Sequence, residues 1–123
     1  MVKIHMLFEP RSRHLWRLLL TALLAVVAWY AFKPVEADDG IEHLDKVRHV
    51  MAFLSLACAA ALGWAPGTRT GARIAAALLA YGLLIEGVQT LLPTRSGSVA
   101  DWLADAVGVA LGLWLARRLR PPD

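Results

Sequence analysis

The chain has 123 residues, of which 58% are hydrophobic and 19% charged, with a mean hydropathy of +0.51 and a formal net charge of +3. An ordinary soluble domain carries roughly 25% charged residues, so the composition points away from that class and toward a membrane-embedded chain. The length suits one domain, residues 1–123, and the single cysteine, Cys58, excludes an intramolecular disulfide.

Four mostly apolar segments, 15–32, 47–64, 74–92 and 99–116, each approach the ~20 residues a helix needs to cross ~30 Å of hydrocarbon. They predict an all-α fold, a four-helix transmembrane bundle. A soluble bundle would need a charged stripe recurring every turn, and residues 50–64 and 74–85 contain no charge. The first segment has basic residues before it and alanine after, as a secretory signal does. It is longer than a typical signal core, and three more apolar segments follow.

In chain order, residues 1–14 form a basic lead with Lys3, Arg11 and Arg13. Helix 1 ends near Trp29 and Tyr30, aromatics suited to an interface, before Lys33-Pro34. An acidic loop with Glu36, Asp38, Asp39, Glu42 and Asp45 follows. Helix 2 opens on Asp45, Lys46 and His49, and Asp45, His49 and Phe53 share a face. Pro66, Gly67 and Gly71 mark a short turn into helix 3, which stays apolar until Glu86 and is ended by Pro93. Ser98-Val99-Ala100-Asp101 reads as a capping box opening helix 4, which closes on Arg117, Arg118 and Arg120.

Nine of the 13 basic residues (Lys3, Arg11, Arg13, Arg17, Arg69, Arg73, Arg117, Arg118 and Arg120) fall at one end of such a bundle. The positive-inside rule places that end, with both termini, in the cytoplasm. Anionic lipid headgroups account for the basic ends, and no aromatic-basic patch points to nucleic acid. The expected partners are membrane lipids.

Length turns the remaining polar residues into a candidate site. Only 106–116 is uncharged after Asp105, and that stretch spans about 17 Å, so helix 4 must draw Asp105 below the outer boundary. His49 on helix 2 and Glu86 on helix 3 come to similar depth. Carboxylates there are expensive against lipid, so the groups should face inward and meet. Asp45 is spaced to orient His49 as a base, with Glu86 as acid or second base. Lys46, Gln89, Arg95, Asp101 and Asp105 form the complementary substrate-binding set, Arg95 through its five fixed donors for an anion. Each has a plainer reading: helix-end charge, helix-locking hydrogen bonds, or a pair between Arg95 and Asp101.

Imidazole and carboxylates together are also metal-ligand chemistry, but no tight motif such as His-Glu-x-x-His is present, so neither metal nor cofactor is expected. The five tryptophans fall near helix ends as interface anchors. Gly108 and Gly112 make a small-xxx-small pair that suits close packing in the bundle or a homodimer.

The pattern Asp45-Lys46-x-x-His49-x-x-x-Phe53, then Glu86-x-x-Gln89, then Arg95-Ser96-Gly97-Ser98-x-x-Asp101-x-x-x-Asp105-x-x-Gly108-x-x-x-Gly112 resembles the VanZ-like family of small bacterial membrane proteins, over residues 44–115. In that family the position of Asp105 is often Asn, so Asp here adds a negative charge. The resemblance implies a multi-pass protein of the cell envelope. The family's namesake is associated with low-level resistance to the glycopeptide teicoplanin, and no settled catalytic mechanism comes with the name. The function expected is binding, with or without chemical modification, of an amphiphilic lipid-linked or glycopeptide-like molecule in an outward-facing pocket between helices 2 to 4. The alternative is a non-enzymatic scaffold or accessory subunit whose buried charges fix helix register. A proton or ion conduit would need polar residues continuing to the inner side, where helices 2 to 4 offer only Ser55.

Overall fold

The computed structural model describes residues 4–34, 42–94 and 96–121, and these form four long helices after two short 3-10 turns, with no strand among them. The helices are α1 (Arg13–Phe32), α2 (Glu42–Gly63), α3 (Thr68–Gln89) and α4 (Val99–Leu119). All four are long and apolar enough to cross a membrane.

The element boundaries differ from the apolar segments in an instructive way. Helix α2 begins at Glu42, ahead of its apolar stretch, so its charged opening residues ride on the same helix as its core. Helix α3 begins at Thr68, leaving only residues 64–67 between α2 and α3, and Arg69 and Arg73 lie on its first turns. It also ends earlier than Pro93 alone requires: Gln89 is its last residue, and Thr90 N–H bonds back to the Glu86 carbonyl. Hydropathy marks the lipid-crossing part of a helix, whereas hydrogen bonding carries the helix on into polar surroundings.

Contacts between helix ends define an antiparallel up-and-down arrangement. At one end the Arg17 guanidinium of α1 donates to the Gly63 carbonyl of α2 at 2.8 Å and stacks on Trp64, 4.7 Å from the ring centre. Arg120, just past α4, donates to the Ala61 and Trp64 carbonyls at that same end. At the other end Gln89 of α3 donates to the Ala31 carbonyl of α1 at 3.0 Å. The described arginines at 13, 17, 69, 73, 117, 118 and 120 therefore gather at one end, and the acidic residues of α2, α3 and α4 at the other.

The closest pairing is α2 with α4. A Cβ on Gly108 would run into the Val50 carbonyl, and one on Gly112 would run into the Leu54 carbonyl and come 2.7 Å from the Ala57 methyl. The two glycines thus bring backbone against backbone inside the bundle. Phe53, Leu56, Ala57, Leu78 and Val109 form the buried apolar core beside this seam. Helix α1 buries none of its side chains fully, and large apolar residues such as Leu18, Leu84, Leu103 and Val107 point outward. Such an exterior is stable against hydrocarbon and not against water.

Candidate functional site

Helix periodicity places Asp45, Lys46 and His49 on successive turns at the start of α2, Glu86 near the end of α3, and Asp101 and Asp105 one turn apart at the start of α4. The antiparallel packing brings these three helix ends together. The buried charged residues of the described chain are Glu86, Asp101 and Asp105, and all three belong to this cluster.

His49 is its hub. Its Nδ1 lies 2.7 Å from Asp105 Oδ1 and 3.9 Å from Glu86 Oε1, while its Nε2 lies 3.8 Å from Asp45 Oδ2 and 3.9 Å from Asp101 Oδ2. Asp45 and His49 make the i, i+4 ion pair that the spacing suggests, at 3.8 Å, while the hydrogen bond of the ring is made with Asp105, reaching across from α4. Lys46 Nζ binds Asp101 Oδ1 at 2.9 Å. Exposure falls steadily through the cluster, from 51% for the Asp45 side chain and 45% for Lys46, through 16% for His49, to 0% for Asp105. The cluster thus opens toward the Asp45–Lys46 edge.

The capping box is only half of what the sequence suggests. Ser98 caps α4 by accepting from the Asp101 N–H at 3.0 Å, but the return bond to the Ser98 N–H comes from Glu86 Oε2 on α3, at 2.9 Å. Asp101 is left to pair with Lys46. The approach of this loop to α3 depends on Gly97, where a Cβ would collide with the Glu86 carbonyl. Although Gly97 belongs to the Arg95-Ser96-Gly97-Ser98 stretch of the resemblance, the reason it is glycine cannot be read along the chain, because its constraint comes from another helix. The same holds for Gly82, whose missing side chain leaves room for Asp105 Oδ2 and the Phe53 ring: a Cβ there would lie 2.8 Å from the carboxylate.

Two buried oxygens, Glu86 Oε1 and Asp105 Oδ2, have no hydrogen-bond partner among the described residues. An unsatisfied buried carboxylate oxygen is costly and calls for an explanation. Oxygen and nitrogen atoms of His49, Glu86 and Asp105, and separately of Asp45, His49 and Asp101, lie close enough together to hold a cation.

Gln89 stands apart from the cluster. Its side chain is buried but turned to the α1 carbonyl of Ala31, locking α3 to α1. Arg95 lies outside the described residues. Two open apolar grooves lie at the opposite end of the bundle, one of about 520 Å³ lined by residues such as Leu24, Trp64, Arg73 and Tyr81, the other of about 320 Å³ around Ala65 to Gly71, and neither includes a residue of the cluster.

Four apolar helices, with an ionisable cluster buried toward one end, define a multi-pass membrane protein. The chain belongs to the VanZ/LLP1 family, whose model matches residues 4–120. No curated protein and no solved structure shows a significant match to it.

Proposed function

We propose that this protein sits in a bacterial inner membrane with both termini in the cytoplasm and binds the polar headgroup of an amphiphilic envelope molecule at the His49 cluster. The ligand class is a lipid-linked or glycopeptide-like molecule carrying phosphate or sugar. The observation that carries the reading is the pair of unpartnered buried oxygens, Glu86 Oε1 and Asp105 Oδ2, acceptors for the hydroxyl or amide donors of such a headgroup, beside a cluster that opens at Asp45 and Lys46, with Lys46 on the side where a phosphate would sit. Ionisable groups at membrane depth are costly, and function is the usual reason they are kept. In a chemical version, His49 held by Asp105 acts as base and Glu86 as acid or second base, with Lys46 and Arg95 steadying an anion.

A second reading, a scaffold without chemistry, is favoured by the bonds that tie the helices to one another: Glu86 to the Ser98 N–H, Lys46 to Asp101 and Gln89 to Ala31. Thermal unfolding of the purified chain with added polyprenyl phosphate, glycolipid or phosphatidylcholine separates the two. Ligand at 100 times its dissociation constant stabilises by about 2.7 kcal/mol. Headgroup-selective stabilisation that is lost in a folded Glu86→Gln variant supports the pocket; equal responses to all lipids in both proteins favour the scaffold.

A further inference from the structure

From the arrangement of His49, Glu86 and Asp105 we infer a site for one divalent transition-metal ion, bound by His49 Nδ1, Glu86 Oε1 and Asp105 Oδ1. No local motif announces it, because its ligands come from three different helices. Four observations meet at this point.

First, the three donor atoms converge: Nδ1 lies 2.7 Å from Asp105 Oδ1 and 3.9 Å from Glu86 Oε1. Ligands bound at ~2.0–2.1 Å in a tetrahedral site stand about 3.3 Å apart, a spacing that these two distances bracket. Second, Glu86 Oε1 is unpartnered although the residue is only 6% exposed, and it faces the imidazole. A cation supplies the partner that the described side chains do not.

Third, the opposite ring nitrogen faces carboxylates. A histidine bound to metal through one nitrogen usually donates its other N–H to a carboxylate. Nε2 has Asp45 Oδ2 at 3.8 Å and Asp101 Oδ2 at 3.9 Å, beyond hydrogen-bond distance but on the side where such an acceptor belongs. Fourth, there is an entry path, because exposure rises from the buried Asp105 through His49 to Lys46 and Asp45 at the surface.

One imidazole with two carboxylates suits a borderline ion such as Zn²⁺. Mg²⁺ and Ca²⁺ prefer six or more oxygens. Binding requires Nδ1 without its proton, so an imidazolium releases that proton to buffer while a neutral ring carries it on Nε2 instead, and in both cases the direct bond to Asp105 is broken. Three protein ligands leave a fourth position for water or an incoming oxygen. The inference does not rest on the lipid reading, since metal alone is the probe.

The test uses the untagged full chain in detergent, stripped with chelator and titrated with Zn²⁺ by calorimetry and metal analysis. The site predicts saturable uptake of one ion per chain, weakened at least tenfold in Glu86→Gln and in Asp105→Asn. No uptake, or equal uptake in those variants, overturns it. Should the variants fail to fold, Co²⁺ bound to the wild-type chain decides: intense visible bands of a four-coordinate site with nitrogen coupling support the assignment, and the spectrum of hydrated Co²⁺ refutes it.

Discussion

His49 Nδ1 and Asp105 Oδ1 lie 2.7 Å apart, joining the first turns of α2 to those of α4 above the glycine seam. The bond crosses the tightest helix pairing in the molecule, and Asp105 is fully buried. Replacing Asp105 by alanine strips the ring nitrogen of its acceptor and should destabilise the chain by about 1–3 kcal/mol. Asp105→Asn keeps an acceptor oxygen and should cost less. A double-mutant cycle with His49→Ala, read by thermal unfolding in detergent, is expected to return a coupling of roughly 0.5–3 kcal/mol. Strict additivity would mean that the two side chains do not meet.

The glycines should divide sharply by position. Gly112→Ala drives a methyl into the Leu54 carbonyl and the Ala57 side chain, and overpacking of that kind costs about 1–3 kcal/mol. Gly87→Ala meets nothing within 4 Å on an exposed face of α3 and should be neutral or stabilising by about 0.5–1 kcal/mol. Equal losses at both positions would contradict the close α2–α4 approach.

At the mouth of α4, Ser98→Ala removes the acceptor for the Asp101 N–H and should cost about 1 kcal/mol, the usual loss for a helix cap. The Ser98 N–H still reaches Glu86 in that variant, because the donor is backbone. Gly97→Ala pushes this loop off the Glu86 carbonyl and should be the more damaging change. The order of the two unfolding temperatures checks the shared capping arrangement.

Much of this arrangement is legible in the sequence. Uncharged stretches of membrane-crossing length give the helix count, and the shortness of 106–116 puts Asp105 on the membrane-crossing part of its helix, where a carboxylate should face inward; it is fully buried against the other helices. Three-to-four-residue spacing likewise puts His49 on the inward face of α2. Partner choice is not legible in the same way. Whether His49 turns to Asp45 one turn away or to Asp105 across the bundle depends on how near α4 comes, and Gly108 and Gly112 set that distance. Gln89 shares a helix end with Glu86, yet three residues leave it about 60° round the helix, enough to meet α1 at the Ala31 carbonyl. Gly82 and Gly97 are constrained by neighbouring helices, so spacing along the chain does not show why either is glycine.

The orientation proposed from the gathered arginines can be read by labelling. In a Cys58→Ser background, a cysteine replacing the exposed Val99 should react with a membrane-impermeant maleimide added to intact cells, whereas one replacing Arg117 should react only after permeabilisation. The reverse pattern would put the His49 cluster on the cytoplasmic side.

The central claim, that the His49 cluster holds a particular headgroup, is tested most directly by native mass spectrometry of the purified chain beside Glu86→Gln. The account predicts one class of phosphate- or sugar-bearing lipid retained by the wild-type protein and absent from the folded variant. The same mixed lipids on both proteins, with no class enriched, would contradict it.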